Sequence, residues 1–234
     1  MKQMKQGIYL IFIALSITSC ASMKMTDLKP TPKNNQLLPT LEPRVDLSSF
    51  ESAYTLGSTT SNSAGTVYGQ TRTNQNRTST IGIGSSTTTS TSIKDPRIQD
   101  AITIFDRDVK DNITDPFNDT KGVILCKINA SNPKVGYGWS VLSGFTLMIP
   151  NLLGMPIGSY KMSLDVEVEI YNNNGKLIGR YNAQSKEKTY MALYWGYGKD
   201  AARVANIKAF REALNIIKKE ISNDYEKLVG KLEE

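Results

Sequence analysis

The groups in this chain able to do chemistry are few, and their types exclude more than they offer. No histidine occurs among the 234 residues, which removes an imidazole base and every histidine metal ligand. Cys20 and Cys126 are the two cysteines. Cys126 lies in the apolar run Val123 to Ile128 and is expected in the core as an inert thiol. Asp165, Glu167 and Glu169 alternate with apolar residues, so they share one face of a strand. Three carboxylates in a row resemble a metal or acid–base set, yet a half-exposed strand produces the same pattern, and a solvated face is the simpler reading. Asp106, Asp108 and Asp111 fall on the polar side of a helical segment and are read in the same way. Serines are abundant, but without histidine a serine nucleophile needs a lysine base, and no local signature marks such a pair. Gly196-Tyr-Gly-Lys-Asp-Ala201 has the form G-x-G-x-x-A. A dinucleotide fingerprint must open a βαβ unit, and no strand pattern follows this helix, so the glycines are read as serving its tight start. No catalytic, metal or cofactor set emerges, and the expectation is a protein that is not an enzyme.

The side chains with most to offer are apolar and aromatic. Residues 136–157 carry no charge, yet Gly144, Pro150, Gly154 and Pro156 interrupt them, which argues against a membrane-spanning helix. Two readings stand: a core-filling segment under the sheet, or an apolar loop at a bilayer interface, with Tyr137 and Trp139 at headgroup level. Tyr190-Met-Ala-Leu-Tyr-Trp-Gly-Tyr197 forms a second cluster. Amphipathic rings suit interfaces, so Tyr137, Trp139, Phe145, Tyr190, Tyr194, Trp195 and Tyr197 are the candidate interface residues.

These clusters must be positioned by regular elements. Asp95 suits an N-cap and Pro96 a first helical position, and Ile98, Ala101, Ile102, Phe105, Val109 and Ile113 then share one helical face. Residues 122–129 read as an inner strand. From Tyr160 to Tyr171, Met162, Leu164, Val166, Val168 and Ile170 alternate with polar residues. Asn172-Asn-Asn-Gly175 turns the chain into a partner strand over 176–186. Val204, Ile207, Phe210, Leu214, Ile217, Ile221, Tyr225 and Leu228 form one stripe on a helix over 200–230, whose last turns are expected to project. Leu41 to Leu47 can add an edge strand, where Pro43 is tolerated. The expected fold is α+β: an antiparallel sheet with the helices 96–112 and 200–230 packed on one face.

The N-terminal part reads differently. Lys2 and Lys5 precede the short apolar run Gly7 to Leu15, followed by small residues, the pattern of a secretory signal peptide. From Ala21 to Pro39 the chain is polar and punctuated by prolines, as in an extended tether. Residues 52–92 are rich in Ser, Thr, Asn and Gln, which favours disorder, although Val67–Thr73 and Arg77–Ile83 around Asn74-Gln-Asn76 have the makings of a hairpin. The division expected is a signal over 1–19, a tether over 20–93 and a folded domain over 94–234. Loss of the signal takes two of 28 basic residues and leaves 26 against 22 acidic. That surplus is small, and no basic block with interleaved aromatics points to nucleic acid.

Ile17-Thr-Ser-Cys20 resembles the lipobox of bacterial lipoproteins. The resemblance implies cleavage before Cys20, diacylglycerol on its sulfur and an acylated amine, an anchor of three chains. With Cys20 lipidated, Cys126 has no partner for a disulfide. Ala21-Ser-Met-Lys-Met25 has neither the Asp that retains such proteins in the inner membrane nor the acidic run of surface-exported ones. The resemblance thus implies the outer membrane, with the domain facing the periplasm. Leu142-Ser-Gly-Phe-Thr-Leu-Met-Ile-Pro150, the amphipathic strand after it, the Asn-Gly turn and Leu177-Ile-Gly-Arg-Tyr181 are similar to a pattern in uncharacterised outer-membrane lipoproteins, and the strand–hairpin–helix ending to small envelope-assembly and secretion lipoproteins. What this implies is an interaction or accessory protein of envelope assembly, transport or maintenance, with the bilayer and other envelope proteins as partners. The alternative is a lipid-anchored binding module for a small molecule or glycan, using the aromatic clusters. Metabolic labelling with a fatty-acid analogue checks the anchor. Cys20→Ala should abolish the label, and a label that survives the substitution would refute lipidation at Cys20.

Overall fold

The computed structural model describes residues 34, 36–58, 95–115, 117, 119–145, 149–192 and 197–233. The fold is α+β, built on four strands in spatial order β1-β2-β3-β4: β1 (Leu41–Val45), β2 (Gly122–Gly136), β3 (Gly158–Asn172) and β4 (Leu177–Met191). β2, β3 and β4 pair antiparallel, as alternation predicts. β1 joins β2 in parallel, so the sheet is mixed rather than purely antiparallel. Pro43 sits on this edge strand, where a missing N–H costs no ladder bond.

The helices are α1 (Leu47–Ser58), α2 (Pro96–Asp108), α3 (Gly138–Phe145), α4 (Ile149–Leu152), α5 (Ala201–Asn223) and α6 (Tyr225–Leu232). A π turn over Val109–Ile113 extends α2 to the limit expected before Pro116. Asp95 caps α2 by accepting a hydrogen bond from the Arg97 N–H at 2.9 Å.

Burial follows the alternation. Met162, Leu164, Val166, Val168 and Ile170 of β3 are all buried, beside Ile124, Cys126 and Ile128 of β2. The α5 stripe from Val204 to Ile221 is buried on top of them. The Asn172 side chain accepts from the N–H groups of Asn174 and Lys176, and Gly175 takes φ 75°, which closes the β3–β4 turn.

Three departures from the sequence reading have physical causes. The first concerns the helix layer, which is not simply two helices on the sheet. α5 covers β3 and β4, α1 covers β2, and α2 packs chiefly on α5 and the β1 edge. α1 lies in residues assigned to the tether. Asp46 caps it, accepting from the Ser48 and Ser49 N–H groups, and Phe50, Ala53 and Tyr54 reach the core. With Leu38 and Leu41 buried too, the folded unit extends back beyond residue 94. The second is that β2 is 15 residues long because a bulge between Ile128 and Ala130 absorbs one residue and lets pairing continue through Pro133. The third is that the C-terminal helix does not project. It is interrupted at Asp224, and α6 continues along β4 toward the hairpin turn, with Leu228 and Leu232 buried. Asp224 accepts the Tyr181 hydroxyl at 3.1 Å, which holds the break against β4.

α2 is joined to α5 by charge. Lys218 and Asp108, each 2% exposed, form an ion pair at 3.1 Å, and Asn112 donates to the same carboxylate oxygen. Burial pulls the Lys218 ammonium below its ordinary range, and Asp108 opposes this. Nearer the start of α5, Arg203 grips Asp100 with two hydrogen bonds of 2.5 and 2.7 Å. Of the three aspartates read as a solvated face, Asp106 and Asp111 reach solvent, whereas Asp108 is a buried partner of a cation, as is Asp100. Removing one member of the buried pair strands the other charge, so Lys218→Ala or Asp108→Ala should cost roughly 3–5 kcal/mol in denaturant melts. The double replacement Asp108→Leu/Lys218→Met should recover most of that loss.

Candidate functional site: an apolar lobe at one end of the sheet

The most unusual surface begins where β2 ends. Between Gly136 and Gly158 the chain forms α3 and α4, which stand off the end of the sheet. Ser140 donates to the Ile157 carbonyl at 2.6 Å, and the Ile157 N–H donates to the Met191 carbonyl at 2.7 Å, so the base of this lobe is fixed to β4. Gly154, at φ 95°, makes the turn out of α4. The approach at the base is close: a Cβ on Gly158 would lie 3.1 Å from the Gly136 carbonyl oxygen.

What the lobe presents to solvent is apolar. Phe145 is 85% exposed and Leu153 83% exposed, with Tyr137, Val141, Ile149 and Leu152 exposed beside them. These exposed positions do not fit the reading of a core-filling segment under the sheet. No helix among the described residues is long and apolar enough to cross a membrane. Grouped exposed apolar side chains of this size mark contact surfaces.

The predicted interface residues divide. Tyr137 and Phe145 lie on the lobe. Tyr190 is exposed at the same end of the sheet, in one register row with Ser159 and Gly136, and the Lys188 ammonium sits 4.4 Å from its ring centre. Trp139 belongs to α3, but its side chain lies outside the described residues, as do Tyr194, Trp195 and Cys20. Tyr197 is half-buried before α5, with the Lys208 ammonium 5.6 Å from its ring centre. The hairpin suggested over 67–83 also lies outside the described residues. A polar hollow of about 300 Å³ lies elsewhere, lined by Gln36 and residues 222–227.

The carboxylate row of β3 does structural work. Glu169 is 1% exposed, not solvated, and binds Lys127 at 2.5 Å, Arg180 at 2.6 Å and the Tyr171 hydroxyl at 2.7 Å. Asp165 accepts from Asn182 and Gln184 at 2.8 and 2.9 Å. Every one of these partners is a strand residue, so the cluster ties β2, β3 and β4 together across the open face. Among the described residues no group of three or more carboxylates or thiols is placed to hold a metal ion. Cys126 is fully buried, and burial pushes its thiol up, as expected of an unreactive core residue. Sequence reasoning missed the Glu169 hub, whose only signal was Lys127 and Arg180 in the flanking strands.

No family model matches the chain, and no curated protein matches it.

Burial alone would raise the Glu169 carboxyl, but the hydrogen bonds from Lys127, Tyr171 and Arg180 win and hold it at about 2, down from 4.5. A lowered pKa stabilises the fold above the ordinary carboxylate range, and that contribution is lost as pH falls from 4.5 through about 2. Its partners are partly exposed, so the contribution is on the order of 2 kcal/mol at neutral pH. Glu169→Gln should lower stability by that amount and flatten the acid limb of the melting profile. An unchanged acid limb would show that other carboxylates carry it.

Proposed function

We propose that this chain is a lipid-anchored protein of the bacterial envelope that acts by contact. On this reading it is held by acyl chains on Cys20 at the outer membrane, with its domain on the periplasmic side. It serves as an interaction or accessory protein in envelope assembly, transport or maintenance, without turning over a substrate. The observation that carries the reading is the lobe. A domain that buries its hairpin and helix faces so completely leaves six large apolar side chains in solvent at one end, where folding alone gives no reason for them.

The support for the anchor is the sequence pattern ending at Cys20, and for the mode of action the exposed surface. Photo-crosslinking in intact cells tests the reading. A photoreactive residue in place of Phe145 or Leu153 should give strong adducts with envelope components, and one in place of the exposed Glu212 on α5 should give few. Equal or absent adducts at the lobe would overturn the assignment of this surface as the point of contact.

A further inference from the structure

The open face of the sheet carries a feature that the lobe explains. Lys134 pairs with Lys161 across β2 and β3, and Lys161 pairs with Lys188 across β3 and β4. Directly opposed residues stand about 5 Å apart, and like charges at that spacing destabilise a sheet. All three lysines are exposed. The next row away from the lobe, Asn132, Ser163 and Lys186, supplies no acid and adds a fourth cation. The row of lysines lies two residues from Gly136, where the chain leaves the sheet to form the lobe. The open face is thus sorted by charge: Glu167 and Glu169 sit toward the far end with their own cations, and the lobe end is basic.

An uncharged apolar wedge, tyrosines at its base and a belt of lysines behind it are the three parts of a surface that sits in an anionic bilayer interface. A protein partner would account for the wedge, and for the lysine belt only if it carried a matching acidic patch, whereas an anionic bilayer supplies both parts at once. The chain's own segment 59–94 does not neutralise the belt either, because it contains Arg72, Arg77 and Lys94 and no acidic residue.

We infer that the α3–α4 lobe docks on an anionic phospholipid surface, inserting Phe145 and Leu153 among the headgroups while Lys134, Lys161 and Lys188 pair with lipid phosphates. The inference rests on the contact reading above and names the partner of that site. The bilayer is the one that carries the anchor. β2 spans roughly 45 Å from Gly122, beside the tether root, to the lobe. The 14 residues from Cys20 to Asn34 reach at most about 50 Å when extended, enough for both ends to meet one membrane when the strands lie along it.

The test uses the intact lipid-modified protein in vesicles of phosphatidylcholine with brominated chains, with and without phosphatidylglycerol. Leu153→Cys takes an environment-sensitive dye, since Cys126 is buried and Cys20 is acylated on this reading. The dye should shift to the blue and lose most of its emission in the vesicles containing phosphatidylglycerol, and much less in the others. The same dye at Glu212→Cys should stay unquenched. Replacing Lys134, Lys161 and Lys188 by Gln should weaken insertion by about fivefold per lysine, on the order of 100-fold for all three. Quenching that is absent, indifferent to phosphatidylglycerol or equal at position 212 would overturn the inference. So would dye-to-dye quenching between lobes of two copies. If crosslinking in cells then joined the lobe to a protein, the contact reading would survive and the lipid assignment would fall. Loss of both signals would end both.

Discussion

The inward row of β3, from Met162 to Ile170, is kept from water chiefly by α5 among the described residues, and most other features of the fold are conditions on that contact. Five buried aliphatic side chains at about 1.5–3 kcal/mol each amount to roughly 10 kcal/mol, as large as the net stability of a typical domain. A single helix cannot cover a sheet of four strands. α1 therefore closes over β2, and the ring of Phe50 meets Phe210 edge-on at 6.3 Å where the two helices adjoin. The break at Asp224 serves the same contact from the other side. It keeps α6 against the sheet, so that Leu228 covers Gly179 at the start of β4 rather than running into solvent.

Apolar burial does not say how helices on one face should lie against each other, and here polar pairs supply that information. The Tyr54 hydroxyl donates to Asn206 at 2.7 Å in a buried site, and Arg97 lies over the Tyr54 ring at 5.0 Å. Burial pushes the Tyr54 hydroxyl up, which keeps it a donor. With Arg203–Asp100 and Lys218–Asp108, these contacts fix α1 and α2 against two points of α5, about four helical turns apart. Each is costly to break and hard to satisfy in another register. On the opposite face of the sheet Glu169 acts alike, holding Lys127 and Arg180 from the strands on either side. Charge in the middle of the molecule is therefore consumed by structure, and the lysines at the lobe end stand apart from it.

Periodic features were legible in the sequence. The β3–β4 hairpin, its Asn-Gly turn and the α5 stripe rest on repeats of two and of three to four residues, and such repeats have one consistent reading. Non-periodic features were not. α1 is short and runs into a Ser/Thr tract, whose composition concealed Phe50, Ala53 and Tyr54 at helical spacing behind a capping Asp46. β2 continues through Asn129, Ser131 and Pro133 because a bulge changes which residues face inward, and those residue types otherwise signal a turn. The lobe was legible as an uncharged segment but not as an exposed one. Its apolar content suits a core equally well, and only the full complement of helices already covering the sheet excludes it.

That exclusion also explains the length of the lobe. β3 and β4 are joined by four residues, Asn173 to Lys176, and antiparallel strands of equal length need no more. β2 and β3 are also antiparallel neighbours of 15 residues each, yet 21 residues separate Gly136 from Gly158. Among its described residues Tyr137, Val141, Phe145, Ile149, Leu152 and Leu153 are exposed rather than added to the core, and the excess does not close the sheet edge, for it leaves from the end of the strands. Connections beyond about 12–15 residues in a compact domain are commonly functional. Ordering α3 and α4 costs conformational entropy that their exposed residues do not recover within the fold. On the reading proposed above, the compensating burial comes from the membrane surface that the lobe meets, and the lysine row beside the lobe gives the sign of the charge that surface should carry.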